Sequence, residues 1–404
     1  MIRVLIADDS AFMRHVLSDL FSKQPDFEVV WKAKDGQEAL QKTLELKPDL
    51  LTMDVNMPVM DGLQALEAIM QQRPTPVVML SSLTQEGTEQ TIKALSLGAV
   101  DFISKAGGSI SKLDPIQVEL LEKCRAAAKA HVHKPQAQGS QVRPVSKAGP
   151  PVMRKVDMPQ RQGYQPKPLP GMPEKPKVGV NPYGAQRRNT ILEAKAAQAR
   201  PVRPSPAAMG AGGKGADKLV AIGTSTGGPQ ALQAVVTRLP GKLPCGVVIV
   251  QHMPAGFTNA LAKRLDSISE VSVKEAENGD IVEPGHVYIA PGNYHLRVQS
   301  EGQTHTLVLG QDPPVGNHRP AVNVMYDSVA DLGKRLVAVI MTGMGSDGCE
   351  GMKKIKAAGG YSIAQDEETC VVYGMPKSVV DAGLADEVKP LQDIAQAIVE
   401  AVKR

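Results

Sequence analysis

Cysteine is scarce. Cys124, Cys245, Cys349 and Cys370 are the only four in 404 residues, and no two stand at C-x-x-C spacing. This argues against a disulfide scaffold or a zinc motif and suits a reducing compartment. Aromatic residues are few, with one Trp, seven Tyr and five Phe, so the cores must be built from Leu, Ile, Val, Met and Ala. No apolar run reaches the roughly 18 residues that span a bilayer. The apolar stretch at Ile2 to Ala7 is too short for a signal peptide. These absences predict a cytoplasmic chain with no membrane insertion.

Acidic residues are nearly missing from one segment. Residues 125 to 218 hold 18 Lys and Arg against 4 Asp and Glu, and 14 of the 31 prolines. The rest of the chain holds 28 basic against 38 acidic residues, so the net charge of +4 hides two acidic flanks around a basic middle. With the positive charge confined to that segment and no helix-turn-helix signal, the chain does not read as a nucleic-acid binder. The segment has too few apolar runs for a core and reads as a disordered tether with an r.m.s. span of roughly 50 Å. Its basic residues could also meet an acidic partner or a membrane surface. The expected organisation is a first domain over 1–123, a Pro/Gln-rich basic linker over 124–215, and a second domain over 216–404.

The first domain alternates apolar strands with helices five times, the signature of a doubly wound parallel sheet. The expected fifth strand runs from Gly98 to Ile103. Ligands of such sheets gather at the carboxyl ends of the strands, where Asp8, Asp9, Asp54, Ser81 and Lys105 fall. Three carboxylates at one edge repel each other unless a cation lies between them, and an oxygen-only donor set suits Mg²⁺. An Asp beside such an ion can accept a phosphoryl group, Lys105 can pair with the phosphoryl oxygens, and the Ser81 hydroxyl can hydrogen-bond one of them. With these residues in order, the first 120 or so positions resemble a response-regulator receiver domain. The resemblance implies phosphorylation at Asp54, Mg²⁺ held by Asp8, Asp9 and Asp54, and sensing of the phosphoryl group by Ser81 and Lys105. It also puts Phe102 at the family's aromatic switch position.

The second domain opens on Lys218-Leu219-Val220-Ala221-Ile222, a buried strand, followed by Gly223-Thr224-Ser225-Thr226-Gly227-Gly228 and a helix. Gly223-x-Ser225-x-Gly227 matches a nucleophile-elbow pattern, although a phosphate-binding turn would look similar. Glycines there permit a sharp turn and close approach of a substrate. A serine nucleophile needs a base and an orienter for it. His252 ends a second apolar strand and is the first choice of base, with His318 in Asn317-His318-Arg319-Pro320 the second. His286, His295 and His305 read as solvated strand positions in a hairpin-like excursion. Asp347 follows a third apolar strand and can orient His252; a helix cap is its alternative role, and Asp327 and Asp366 are weaker candidates. Backbone N–H groups just after Ser225, at Thr226, and in the Met344-Gly345 loop could stabilise an oxyanion. The order Ser, His, Asp differs from the Ser, acid, His order of α/β-hydrolases, so a Rossmann-like hydrolase of another fold is expected.

Five motifs, in order, carry a closer resemblance: Gly223 to Pro229, Gln251-His252-Met253-Pro254, Gly285 to Gly292, His318-Arg319-Pro320, and Thr342 to Gly348. They resemble the chemotaxis protein-glutamate methylesterases of the CheB type, with Thr224 where Ala is common and Ser346 where Asn is common. The resemblance implies a Ser225/His252/Asp347 triad, an oxyanion contribution at Met344, and no cofactor in the second domain. It implies a phosphorylation-activated hydrolase that removes methyl groups from glutamate γ-methyl esters on chemoreceptor helices and deamidates glutamines. The implied phosphodonor is a chemotaxis-type histidine kinase, and the implied location is the cytoplasm at receptor arrays. The rival reading is a non-enzymatic regulator whose second domain only binds a partner.

Overall fold

The structure, a computed structural model, describes residues 1–82, 84–105, 114–130, 132 and 218–404. Most of the expected linker, with His131 and His133, lies outside the described residues.

The first domain is a five-stranded parallel sheet in the order β2-β1-β3-β4-β5. Its strands are β1 (Ile2–Ala7), β2 (Phe27–Ala33), β3 (Leu50–Asp54), β4 (Val77–Ser82) and β5 (Asp101–Lys105). The helices are α1 (Ala11–Ser22), α2 (Gly36–Leu46), α3 (Gly62–Gln72), α4 (Gln85–Leu97) and α5 (Asp114–Ala127). Helices α1 to α4 begin at side-chain caps. Ser10, Asp35, Asp61 and Thr84 each accept a hydrogen bond from a first-turn N–H, and Asp61 with Gln64 forms a full capping box. The fifth strand starts later than the alternation suggested. Gly98 adopts φ +117° and closes α4 in a left-handed turn, so Lys105 is the last strand residue instead of lying past the end. Helix α5 runs on to Ala127, with Cys124 and Ala127 buried in this domain's core, so the expected boundary at 123 cuts through it.

The second domain is a seven-stranded sheet in the order β14-β13-β12-β6-β7-β9-β8, parallel throughout. The central strands β6 (Leu219–Thr224), β7 (Gly246–Gln251) and β12 (Leu336–Ile340) are wholly buried, as their unbroken apolar runs require. The flanking strands are β8 (Ser272–Glu275), β9 (His286–Ile289), β13 (Tyr361–Gln365) and β14 (Glu387–Lys389). Helices α6 (Gly228–Val236), α7 (Phe257–Asp266), α8 (Val322–Val329), α9 (Cys349–Ala357), α10 (Met375–Asp381) and α11 (Leu391–Lys403) cover the faces. The sequence pattern predicts an excursion in which Pro291-Gly292-Asn293 links a strand over Gly285 to Ala290 with one over His295 to Val298, and the structure pairs them differently. Strand β9 joins the main sheet, and the hairpin is β10 (His295–Glu301) with β11 (Thr304–Gly310). Within it His295 and His305 are buried, not solvated: His295 Nε2 lies 3.1 Å from the Pro313 carbonyl and His305 Nδ1 2.8 Å from the Ser300 hydroxyl.

A β-carbon on Gly62 would sit 2.1 Å from the Asp54 carbonyl oxygen. Gly62→Ala therefore forces β3 and α3 apart at the acidic edge. We expect a loss of about 1–3 kcal/mol, the usual cost of overpacking, measured by urea unfolding; an unchanged midpoint would contradict this packing.

Candidate functional site

Two groups of polar residues stand at the carboxyl edges of the sheets. In the first domain, carboxylate oxygens of Asp8, Asp9 and Asp54 lie within 4.8 Å of one another. Lys105 Nζ bridges two of them, 3.0 Å from Asp8 Oδ2 and 2.9 Å from Asp54 Oδ2. Burial raises the Asp54 carboxyl above its usual range, with Lys105 pulling the other way. Burial opposes the Lys105 ammonium, but Asp54 and Asp8 outweigh it and raise its pKa. Three carboxylates face one ammonium, and the unbalanced charge in an oxygen-only donor set fits a divalent cation of the Mg²⁺ kind. The buried Ser81 hydroxyl contacts Thr91 Oγ1 at 2.5 Å and the Gly87 carbonyl at 3.1 Å, tying this edge to α4.

The second group lies where the sheet order reverses direction. Strand β6 sits between β7 and β12, a topological switch point. Ser225 follows β6, His252 follows β7 and Asp347 lies in the loop after β12. Three neighbouring strands thus deliver the three residues to one place. His252 Nε2 lies 2.8 Å from Asp347 Oδ2. An ionised carboxylate only accepts, so Nε2 carries a proton, and in the neutral ring the lone pair falls to Nδ1. Nδ1 is buried with no hydrogen-bond partner among the described residues. Asp347 does not cap α9, whose N-cap is Gly348 without a side-chain bond. It accepts instead from the first N–H groups of α8, Val322 at 2.6 Å and Asn323 at 2.9 Å. Burial works against its charge, but His252 and these N–H groups prevail and hold its pKa below the carboxylate range. The weaker candidates are engaged elsewhere, Asp327 with Lys354 and Asp366 with Thr369.

The serine turn is pinned from both sides. On the β12 side, Ser225 N donates to the Thr342 carbonyl at 3.0 Å, and Thr342 Oγ1 donates to the Thr226 carbonyl at 2.9 Å. On the β7 side, Gln251 Nε2 donates to the carbonyls of Ser225 and His252, each at 3.0 Å. The Thr224 hydroxyl donates to Gln251 Oε1 at 2.7 Å and so fixes which way that amide points. Gln251 and Thr342 each open one of the five motifs, but the sequence assigns neither a role of its own. The available signal was a lone polar side chain at the end of a buried apolar strand, which must find partners. The glycines serve the protein's own packing more than a substrate. A β-carbon at Gly228 would lie 1.9 Å from Gln251 Oε1, and one at Gly223 2.4 Å from Val322.

Ser225, Thr226, His252, His318 and Met344 line one cavity of about 720 Å³. His318, the second choice of base, lies flat on His252, with ring centroids 3.8 Å apart and planes 10° from parallel. Burial, and then the neighbouring His252, push its pKa down to about 4, so it is neutral near pH 7. The opposite wall of the cavity comes from the first domain, through Asp101, Val118, Glu119, Glu122 and Lys123. There the Thr226 hydroxyl donates to Asp101 Oδ2 at 2.6 Å, and Gln230 Nε2 to the Ala99 carbonyl at 2.8 Å. Phe102 packs against Phe257 of α7 with centroids 4.4 Å apart and planes tilted by 31°. A second cleft of about 780 Å³ lies between α4 and α7 but contains none of the residues with hydrolytic chemistry.

The family model described as CheB methylesterase matches residues 220–398, and that of the response regulator receiver domain matches residues 4–113. A protein-glutamate methylesterase/protein-glutamine glutaminase of Symbiobacterium thermophilum is 45% identical over 99% of this chain and 97% of its own. The protein of that name from Thermotoga maritima is 44% identical over 99% of this chain and 98% of its own. The crystal structure of the T. maritima CheB methylesterase catalytic domain is 49% identical, covering 45% of this chain and 97% of its own, with a TM-score of 0.45.

Asp347 has a lowered pKa in the fold, so it contributes stability above its unfolded value of about 3.9, and that contribution fades as pH falls through the folded value. Asp347→Asn removes this titration. The variant should be less stable than the parent at pH 7, and the gap should narrow below about pH 4. Urea melts between pH 7 and pH 3 test this; a gap independent of pH would show that the carboxylate is not held as described.

Proposed function

The chain belongs to the CheB family of protein-glutamate methylesterases/protein-glutamine glutaminases, and from that premise we propose how its residues do the work. It is an enzyme of chemotaxis that joins a receiver domain to an ester hydrolase, with chemoreceptors as the implied substrate and a kinase as the implied phosphodonor. Our reading assigns 1–123 to the receiver, carried on by α5, 124–215 to the linker and 216–404 to the hydrolase.

Ser225 is the nucleophile, His252 the general base and Asp347 its orienter. The observation that carries this is the His252–Asp347 bond at 2.8 Å, which leaves Nδ1 with its lone pair beside a cavity that Ser225 also lines. Ser225 Oγ attacks the γ-ester carbonyl of a methylated glutamate on a receptor cytoplasmic helix, and its proton passes to His252 Nδ1. Negative charge on the carbonyl oxygen is met by backbone N–H groups at Thr226 and Met344. The C–O bond to methoxide breaks, and methoxide leaves as methanol with the proton from His252. Water, deprotonated by the same nitrogen, then cleaves the acyl-enzyme to glutamate and free serine. An amide takes the same route with ammonia as leaving group, which is the deamidation. Serine, histidine, aspartate and backbone donors supply every proton and charge these steps need, so the second domain is read as working without a cofactor.

Asp54 is the phosphoacceptor. Asp8, Asp9 and Asp54 would hold Mg²⁺, which neutralises charge on the incoming phosphoryl group. Lys105 and Ser81 then sense the phosphoryl group. Phe102, packed on Phe257, and Asp101, bonded to Thr226, lead from that edge to the serine turn. Without phosphorylation, α5 and β5 wall in the cavity and keep a receptor helix out. The phosphodonor is a histidine kinase of the chemotaxis type, and the enzyme works in the cytoplasm at receptor arrays.

Ser225→Ala should abolish methanol release from methylated receptor, leaving at most about 10⁻³ of the parent rate. Mass spectrometry of receptor peptides reads this out, and persistence of demethylation would remove Ser225 from the mechanism. Asp54→Asn should stay at basal activity whatever phosphodonor and Mg²⁺ are supplied. Gln230→Ala, which loses the bond to Ala99, should raise unphosphorylated activity about two- to tenfold, because one such bond contributes about 0.5–1.5 kcal/mol to closure. Equal activity of parent and variant would separate this contact from regulation.

A further inference from the structure

Segment 317–323 brings together three features that act on one imidazole. His318 covers a face of the His252 ring at 3.8 Å. Four and five residues later, the N–H groups of Val322 and Asn323 hold the carboxylate that holds His252 Nε2. The segment is itself fastened. His318 and Val315 exchange two backbone hydrogen bonds at 3.0 Å, and the Arg319 guanidinium binds the carbonyls of Gln311 and Asp312 and the side chain of Asn293.

A histidine χ2 well is broad and close to two-fold. One hydrogen bond fixes the direction of Nε2 but leaves the ring free to rock about the N···O line. A plate on its face removes that freedom. We propose that His318 is a positioning residue that holds the His252 ring in the plane where Nδ1 is directed at the cavity. The plate must also be uncharged, because His252 becomes a cation as it takes the serine proton. Burial, then the charges of His252 and Lys123, keep His318 neutral against the opposing pull of Asp347. Its own nitrogens take no part in the chemistry, which sets this role apart from that of a second base or a substrate ligand.

The inference rests on His252 being the base, and its test is separable from that reading. Full-length His318→Ala and His318→Phe are compared with the parent, each treated with a small-molecule phosphodonor and Mg²⁺, using methylated receptor as substrate. His318→Ala should lower kcat by on the order of 10–100-fold with KM within about twofold, as expected for a slightly misplaced catalytic group. His318→Phe, which keeps a flat neutral plate without nitrogens, should recover most of that loss. Loss in Phe equal to that in Ala, an effect on KM alone, or no effect in Ala overturns the proposal. In parallel, ¹⁵N NMR of the His252 ring should show the tautomer protonated at Nε2 in all three proteins, with exchange broadening of the ring signal in the Ala variant alone. An unchanged ring signal in Ala also overturns it. If Ser225→Ala remained active while the ring signal still broadened in His318→Ala, the nucleophile assignment would fall and the positioning role would stand.

Discussion

The parallel pairing of β6 between β7 and β12 is the constraint on which the rest depends. Its register runs Leu219 against Gly246 on one side and against Leu336 on the other, so all three strands end at one edge. A parallel sheet puts the turns after its strands on the same side, and the reversal of strand order at β6 opens a crevice there. Three residues 27 and 95 positions apart in the chain become neighbours because the strands before them do. No other contact is needed to bring them near; what remains is orientation.

Orientation comes from polar groups that cannot stay unpaired once buried. Gln251 is almost fully buried and spends its amide on Thr224, Ser225 and His252. Thr342 does the same from β12. Asp347 is held by the start of α8, where free N–H groups favour negative charge. The helices at this edge begin differently from those of the receiver. Gly227, Gly256 and Gly348 precede α6, α7 and α9 with φ of +77°, +87° and +99° and give no side-chain cap. In α6 the first N–H, that of Gly228, turns back to the Ser225 carbonyl at 2.7 Å, and Pro229 has none to offer.

The receiver supplies a wall to the same crevice, so the two chemistries are physically joined. One apolar cluster runs from the α4 side of the receiver sheet into the α6 and α7 side of the second sheet. The polar contacts fall at Thr226, the residue after Ser225, and at Gln230 in the first turn of α6. Two neighbouring residues of β5 thus touch the second domain directly, Asp101 at Thr226 and Phe102 at Phe257 of α7.

By itself, the sequence determined the strand-helix alternation of both domains, because buried parallel strands must be apolar throughout and their ends must be polar. For the same reason Asp8, Asp54, Lys105, Ser225, His252 and Asp347 stood out at strand ends. Expectation and structure part where neighbours in space decide the outcome. The hairpin histidines His295 and His305 lie in strands of ordinary alternation, and only the fold over β10 and β11 buries them. Asp347 read equally well as a helix cap until α8, 24 residues earlier, supplied its N–H partners. The glycines around Ser225 looked like room for a substrate, and the packing of Val322 and Gln251 took that room. His318 could have been base or ligand on spacing alone. Stacking is a relation between two faces, set by how segment 317–323 is fastened across the crevice, and no local pattern of residues carries it.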